Sequence, residues 1–242
     1  MIALYHGGPS GHSASVLIAL AEKDIAFASR PVDLDSFAQH RAEYLALNPA
    51  GQVPVLVEGD RTLTESFFIL LYLDEQYPRP ALGGSDARAR YAVQKWGKYV
   101  ETHIAPKLAI VRWAASGAAA DADNVAGFGR LPPERRALWE RAAAGFGSEE
   151  ADAARTAIAK AAQRIDAALA EGPWLAGAAY SLADIVVFPH VALFEEAGVS
   201  PSPALRDWMD RIRARPQVRK ALGEPADHRV PVTMGPEFGR WG

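Results

Sequence analysis

The segment Asn48-Pro-Ala-Gly-Gln-Val-Pro-Val-Leu56 has groups that could hold a short peptide by its backbone. Pro54 starts an apolar run, where it cannot donate to a sheet and where the preceding peptide bond can be cis at modest cost. A cis Val53-Pro54 bond would turn the N–H and C=O of Val53 outward, to pair with an extended peptide as an added strand does. These residues therefore predict a binding frame for a tripeptide.

The pair Glu65-Ser66 follows this segment and could bind a charged end of the same peptide. It opens an amphipathic helix that runs from Ser66 to about Asp74. The first N–H groups of a helix have no partner within the helix, and the helix dipole adds positive potential at that end. Because helix N-termini bind carboxylates in this way, we expect a carboxylate of the peptide to lie at Ser66.

The elements that must position these residues follow the order β-α-β-α-β-β-α over residues 2–77. Periodicity and turn residues predict strands at Ile2 to Tyr5 and Ala28 to Val32, a hairpin at Val53 to Leu63 with its turn at Gly59-Asp60, helices at about Ser13 to Lys23 and after Glu65, and a helical turn region around Phe37 to Leu47. This order is similar to that of a thioredoxin-like domain. We therefore expect a thioredoxin-like α/β domain over residues 1–78, which Pro78 and Pro80 bring to an end.

The remainder of the chain, residues 87–242, has no strand signals and predicts an all-helical domain. The expected helices cover 87–111, with a bend near Pro106, then 148–171, a segment from Ser181 through Leu193, and 204–213. Ser181-Leu-Ala-Asp184 has the form of a capping box, in which Ser181 and Asp184 satisfy each other's backbone N–H groups. Residues 114–126 are expected to form a loop, and the tail from Ala226 to Gly242 is too rich in Pro and Gly to be regular.

Composition excludes several classes of function. The 242 residues carry a net charge of −3 without a basic cluster, which argues against a nucleic-acid partner. No apolar run approaches the roughly 20 residues of a membrane span, and no signal sequence is evident, so we expect a cytoplasmic protein that does not bind membranes. There is no cysteine and no metal-ligand spacing. If thiol chemistry occurs, the sulfur must belong to a bound ligand.

The motifs together resemble the glutathione transferase superfamily, and within it the bacterial glutathione-dependent β-aryl etherases of lignin breakdown. The segments that carry the resemblance include Asn48-Pro49, Gly51-Gln-Val-Pro54, Thr64-Glu-Ser66 and Tyr180-Ser-Leu-Ala-Asp-Ile185, with Phe37-Ala-Gln-His40 and the Trp139 to Phe146 insertion as the more selective pieces. The resemblance implies glutathione as cofactor, a homodimer, and a small aromatic electrophile as the second substrate. The Ala-rich stretch at 114–123 and the tail depart from the etherase pattern.

Activation of the glutathione thiol is the first role that the resemblance implies. The thiol has a pKa near 8.5 in water, and members of the superfamily stabilise its anion with a Tyr, Ser or Cys after the first strand. Ser13, at the start of the first helix, is the candidate here, and His12 is the second candidate. The alternatives are that Ser13 is an ordinary helix N-cap and that His12 is simply solvated.

The glutathione contacts carry over onto the two segments described first. Val53, ahead of Pro54, would bind the cysteinyl backbone, and Gln52 would reach a terminal carboxylate or amide. The Glu65 carboxylate would face the γ-glutamyl ammonium, and Ser66 its carboxylate. Taken singly, Glu65 and Ser66 could instead serve only the helix end, through the dipole and as a cap.

The glycyl carboxylate of glutathione is assigned to His40, in Phe37-Ala-Gln-His40. The alternative is that Gln39 and His40 are polar loop residues without a ligand.

The electrophile is expected to lie against side chains around the insertion between the long helices. The candidates are Pro9, Trp113, Phe128, Trp139, Arg141 and Phe146. Aromatic rings there would stack on an aromatic substrate, with at least two rings facing the sulfur of bound glutathione. The alternative is that the rings pack the insertion onto the helices.

The reaction implied by the etherase resemblance is attack of the thiolate on the β-carbon of an α-keto β-aryl ether, from which a phenol leaves. The developing phenolate, or the carbonyl oxygen, then needs a hydrogen bond, for which Arg141 and His12 are candidates. Two alternatives remain: a general transferase of halogenated or nitro aromatics, and a glutathione-binding or scaffold protein without turnover.

Overall fold

The chain begins with a four-stranded mixed sheet. The computed structural model describes residues 1–8, 11–116 and 127–223. Strand β1 (Ile2–His6) is parallel to β2 (Phe27–Pro31) and antiparallel to β3 (Val55–Glu58), which pairs with β4 (Arg61–Leu63), in the order β2-β1-β3-β4. The predicted hairpin with its turn at Gly59-Asp60 is confirmed.

Helices complete the sheet domain. They are α1 (Gly11–Glu22), a 3-10 turn (Ala38–His40) followed by the short α2 (Ala42–Leu45), and α3 (Ser66–Gln76). Almost every residue of α1 is buried, including several polar ones, because α1 lies between α3 and the helical part of the chain. The predicted thioredoxin-like domain is therefore confirmed.

The long helix predicted over residues 87–111 is present but continues further. It consists of α4 (Ala87–Tyr99), a π-helical turn (Val100–Ile104) and α5 (Ala105–Ser116). Pro106 has no N–H, and the preceding N–H, on Ala105, bonds to the carbonyl of Val100 instead of that of Glu101. The proline is thus accommodated by a wider turn. The predicted loop begins later than expected, and residues 117–126 of it lie outside the described residues.

The helical domain continues with five helices in the described residues after 132. They are α6 (Pro133–Ala143), α7 (Ser148–Ala170), α8 (Leu182–Val191), α9 (Pro203–Arg213) and α10 (Pro216–Leu222). The capping box of Ser181 and Asp184 at the start of α8 is confirmed. Helices α6 and α10, each of which starts with a proline at its first position, were not predicted. The tail at 226–242 lies outside the described residues.

Two ion pairs fasten the end of α1 to the rest of the fold. Arg215, just before α10, makes a bidentate pair with Glu22, with N–O distances of 2.6 and 2.8 Å. Lys23 bonds to Asp74 of α3 at 2.7 Å and to two backbone carbonyls of the segment that follows α3. The two domains therefore share one continuous core, in which α1 contacts α8 and α10.

A separate buried cluster joins the two domains on another side. We call it the aromatic seam, and its members are Phe37, Trp113, Phe128, Leu131, Trp139 and Ala142. None of the helices in the described ranges has the length and apolar character of a membrane span.

Candidate active site

Ser13 lies in the first turn of α1 and is almost completely buried. Its hydroxyl oxygen accepts a hydrogen bond from the N–H of Gly7, at 3.1 Å, which ties the end of β1 to the start of α1. Because α1 already begins at Gly11, Ser13 does not stand at the N-cap position. Its hydroxyl therefore bonds to the segment that follows β1 and not to the backbone of its own helix.

His12 contacts Ser66 rather than the end of β1. Its Nδ1 lies 3.3 Å from Ser66 Oγ, and its ring packs edge-on against the ring of His190, with 4.5 Å between centroids. His190 is itself buried in α8, where its Nδ1–H donates to the carbonyl of Val186. His12 thus connects α1, α3 and α8 behind Ser66.

The loop that contains Gln52, Val53 and Pro54 is held by its neighbours. The carbonyl of Gln52 accepts from Tyr44 Oη at 2.6 Å and from Asn48 Nδ2 at 2.9 Å. The Val53-Pro54 peptide bond is cis, as predicted. Gln52, Val53 and Pro54 are all buried at this bend.

Gly51 in this loop cannot be replaced by a larger residue without movement. It has a φ of +63°, and a Cβ there would lie 2.9 Å from His40 Cδ2 and from Leu131 Cδ2. The loop therefore lies directly against both the 3-10 turn of the sheet domain and the segment that precedes α6.

Glu65 holds an uncommon backbone conformation at the start of α3. Its φ of 62° and ψ of 103° place a non-glycine residue where side chains are strained, at a typical cost of about 1–3 kcal/mol. Among the described residues, its side chain makes no capping hydrogen bond. Ser66 follows it as the first residue of α3, fully buried and beside His12. A role in helix capping therefore does not explain the strained backbone of Glu65 or the burial of Ser66.

His40 lies against the aromatic seam and is only 2% exposed. Its ring packs edge-on against Trp139 at 4.9 Å and Phe128 at 5.7 Å between centroids. Burial, and secondarily the charge of Arg135, lower the pKa of His40 to about 4, so the ring is neutral near pH 7. Within the described residues, neither ring nitrogen has a hydrogen-bond partner.

Arg135 lies close to these residues, although no motif in the sequence predicted it as part of the site. It belongs to α6 and is 7% exposed, and its Nε–H donates to the carbonyl of Ala50 at 3.3 Å. Burial lowers its pKa to about 10, against the opposing effect of the Glu65 carboxylate, and it remains charged at neutral pH. The spacing of Arg135 and Trp139 would have placed both on one helical face, which is the signal that could have revealed it.

The residues predicted to contact the electrophile fall into two groups. Trp113, Phe128 and Trp139 are each 4% exposed or less and pack against one another in the aromatic seam, where Trp113 Nε1 donates to the Ala142 carbonyl. Phe146 is half-buried at the edge of the seam, and the Arg141 guanidinium lies over its ring at 4.8 Å.

The guanidinium of Arg141 also bonds to two neighbouring residues of the helical domain. It pairs with Glu150 and donates to the carbonyl of Gly145. Pro9 lies outside the described residues.

The comparisons with known proteins cover both domains. The family described as glutathione S-transferase, N-terminal domain, matches residues 1–75, and the family described as glutathione S-transferase, C-terminal domain, matches residues 130–216. Protein LigF of Sphingobium sp. strain SYK-6 is 30% identical over 90% of this chain and 91% of its own length. Glutathione S-transferase GstB of Escherichia coli strain K12 is 29% identical over 93% of this chain and 99% of its own.

A solved structure extends the likeness to three dimensions. The crystal structure of the β-etherase LigF from the same Sphingobium strain superimposes with a TM-score of 0.84 at 29% identity, covering 93% of this chain and 99% of that one. Together these matches show that the chain belongs to the glutathione transferase family and binds glutathione.

Proposed function

We propose that this transferase uses glutathione to cleave the β-aryl ether bond of lignin-derived α-keto aromatic ethers. The observation that carries the proposal is the likeness to the β-etherase LigF, which extends over nine-tenths of both sequences and over the whole fold. In this proposal, residues 1–78 bind glutathione and residues 87–242 bind the ether.

The groups of the sheet domain suit a peptide with two charged ends. The buried Ser66 and the strained Glu65 lie at a helix N-terminus, where a γ-glutamyl carboxylate and ammonium would find a hydroxyl, N–H groups and a carboxylate. Val53, before the cis Pro54, would pair with the cysteinyl backbone, and the neighbouring Gln52 would reach toward the glycyl end.

Ser13 is the residue that we assign to the sulfur. When bound, glutathione supplies the thiolate that forms the new C–S bond at the β-carbon while the C–O bond breaks and the phenolate leaves with its electron pair. The task of the chain is to keep the thiol ionised near neutral pH. A buried hydroxyl that donates to sulfur at the start of α1, with the helix dipole, would lower the thiol pKa by about one to two units.

His12 and Arg141 receive different roles in the proposal. His12 contacts Ser66, so we assign it to supporting Ser66. Arg141, beside Phe146, is then the candidate that donates to the developing phenolate, which is electrostatic stabilisation of a charge that appears only during the reaction. Phe146 would stack on one aryl ring, while the seam residues Trp113, Phe128 and Trp139 would form the wall behind it.

The second candidate function is a general transferase of halogenated or nitro aromatics, which the likeness to GstB over nearly the full length favours. A binding protein without turnover is less well supported, since it would have no use for Ser13 beside the glutathione frame.

The experiment is turnover on a panel of α-keto β-aryl ethers and halo-nitroaromatics, with released phenol and the glutathione conjugate measured separately. The etherase proposal expects one phenol per glutathione consumed and faster turnover of the ethers. Turnover of the halo-nitroaromatics alone would establish the general transferase. Retention on immobilised glutathione without turnover of either class would support the binding protein.

We further propose that the active form is a homodimer in the cytoplasm, where glutathione is kept reduced. Phe68 on α3 and Tyr91 on α4 are 63% and 66% exposed, an unusual position for large apolar side chains. If they lie in the dimer contact, Phe68→Asp should yield a monomer in light scattering, whereas the substitution of an exposed charge on α9, Asp207→Lys, should not. A wild-type monomer at micromolar concentration would contradict the dimer.

A further inference from the structure

The two residues that follow β1, Gly7 and Gly8, contact the residues that the proposed function assigns to the cysteinyl part of glutathione. The N–H of Gly7 donates to Ser13 Oγ at 3.1 Å. A Cβ on Gly7 would lie 3.1 Å from Cγ2 of Val53, so the backbone of this segment packs closely against that side chain. The position of the segment therefore affects how the hydroxyl of Ser13 lies relative to Val53.

The side chain of His6, the last residue of β1, holds this segment. The residue is 8% exposed, and its Nδ1 accepts a hydrogen bond from the N–H of Gly8 at 3.2 Å. Its Nε2 lies 2.8 Å from Ser29 Oγ on β2. Two successive glycines leave the backbone free to adopt many conformations, and Gly8 has a φ of +108° that few other residues adopt. The bond from Gly8 to His6 restricts this freedom.

The hydrogen bonds of His6 define its protonation state. A ring nitrogen that accepts from an N–H carries no hydrogen, so Nδ1 is unprotonated. The neutral ring then carries its hydrogen on Nε2, which donates to Ser29 Oγ. Burial lowers the pKa of His6 from its usual value of 6.5, which keeps the ring neutral near pH 7. The two ring nitrogens therefore have separate partners and can be tested separately.

The bond from Gly7 determines where the hydroxyl of Ser13 can donate. A hydroxyl has one hydrogen and two lone pairs, and the N–H of Gly7 occupies one lone pair. The O–H bond of Ser13 therefore points away from the nitrogen of Gly7. A hydroxyl that accepts a hydrogen bond is also a better donor, because hydrogen bonds in a chain polarise one another. Both effects favour donation to a sulfur at the start of α1.

We propose that His6 is a positioning residue, which acts through Gly8 and Gly7 to hold the hydroxyl of Ser13 in the orientation that donates to the glutathione sulfur. The inference rests on the proposed glutathione-dependent function and deepens it, because it adds a residue that affects the sulfur only through Ser13.

The test is a titration of the ultraviolet absorbance of bound glutathione thiolate against pH in variants of the full chain. His6→Gln keeps a nitrogen that can donate to Ser29 but has no acceptor at the position of Nδ1. We expect its ionisation midpoint to rise by about half a unit to one unit, and by no more than in Ser13→Ala, with nearly unchanged affinity for glutathione.

Two further variants make the result specific. His6→Asn is the conservative variant, because an asparagine oxygen can accept from the N–H two residues further on, which here belongs to Gly8. Its midpoint should stay near that of the wild type, although the bond to Ser29 is lost. His103→Gln makes the first change at an exposed histidine of the π-helical turn and should leave the midpoint in place.

A double variant tests whether His6 acts through Ser13. If it does, His6→Gln combined with Ser13→Ala should raise the midpoint no further than Ser13→Ala alone, because the two changes interrupt the same chain of bonds.

The tautomer of His6 gives a readout that needs no variant. Nitrogen chemical shifts of the wild type in NMR should show a hydrogen on Nε2 and none on Nδ1 near pH 7. A hydrogen on Nδ1 would overturn the inference even if the variants of His6 fail to fold.

The titrations can overturn the inference in three ways. An unchanged midpoint in His6→Gln would show that the bond to Gly8 has no effect on the sulfur. Equal rises in His6→Gln and His6→Asn would assign the effect to packing or to Ser29. Additive rises in the double variant would show that His6 acts independently of Ser13. A wild-type midpoint equal to that of free glutathione would overturn the proposed role of Ser13 as well, which these three results would not.

Discussion

Asp184 at the start of α8 and His40 beside the aromatic seam are both almost fully buried, yet their surroundings differ. The Asp184 carboxylate accepts from Leu175 N, Trp208 Nε1 and both Ser181 N and Oγ, all within 3.2 Å. Neither ring nitrogen of His40 has a partner in the described part of the chain. A buried polar group whose hydrogen bonds are all made stabilises a fold. A buried polar group without hydrogen-bond partners costs stability, and such groups are typical of functional sites. The comparison separates the structural centre of the helical domain from the site at the domain boundary.

The largest loss of stability is expected for replacement of Asp184, whose carboxylate accepts several buried hydrogen bonds. Asp184→Ala should lower the free energy of unfolding by about 5 kcal/mol, because several buried donors lose their acceptor at about 1–3 kcal/mol each. Urea unfolding followed by fluorescence would measure it. The control is Asp210→Ala, at an exposed aspartate of α9, which should cost about 0.5 kcal/mol or less. A similar small loss in both variants would contradict the structural role of Asp184.

The seam offers the next comparison, between a buried and a half-buried aromatic. Trp113→Ala should cost about 3–5 kcal/mol of stability and reduce turnover of large and small electrophiles together, because it opens a cavity in the seam. Phe146→Ala should cost much less stability and reduce turnover of a two-ring ether about 10-fold more than that of a small halo-aromatic. Selective loss in Trp113→Ala with unchanged stability would show instead that Trp113 contacts the substrate.

The two buried groups should also respond to pH in opposite directions. Burial raises the pKa of Asp184 to about 6, so its protonated form is favoured in the folded state and its contribution is lost as pH rises from about 4 to 6. Burial lowers the pKa of His40 to about 4, so its contribution is lost as pH falls from about 6.5 to 4. Each change amounts to about 3 kcal/mol, at about 1.4 kcal/mol for each pKa unit.

Stability curves of variants between pH 4 and 7 would test this opposition. Relative to the wild type, His40→Phe should become more stable toward pH 4, and Asp184→Asn should become more stable toward pH 7, whatever offset each substitution causes. Parallel curves for wild type and both variants would contradict the assigned ionisation states.

Local signals in the sequence predicted most of the sheet domain. Alternating apolar residues, the Gly59-Asp60 turn and the capping box at Ser181 each act over a few residues, and all three are present in the structure. Helices α6 and α10 were missed, and each begins at a proline, a residue that occurs both at the first position of a helix and just beyond the end of one.

The parts of the site that the sequence did not predict depend on packing between domains. Nothing near Arg135 in the sequence indicates that α6 lies on the loop at Ala50, since the two are far apart along the chain. Likewise, an aromatic residue such as Trp139 has the same local pattern whether it packs into a seam or faces a ligand. His40 was assigned to the glycyl carboxylate from its position alone, and only its surroundings show that it is neutral.

The central claim, that the chain ionises glutathione at Ser13, is tested most directly by titrating the ultraviolet absorbance of the bound thiolate against pH. The account predicts half-ionisation about one to two units below the value near 8.5 of the free thiol. In Ser13→Ala the midpoint should rise by roughly one unit with nearly unchanged affinity, while Ser15→Ala, the control in the same helix, should leave it in place. A midpoint for the wild type equal to that of free glutathione, or one unaffected by Ser13→Ala, would contradict the account.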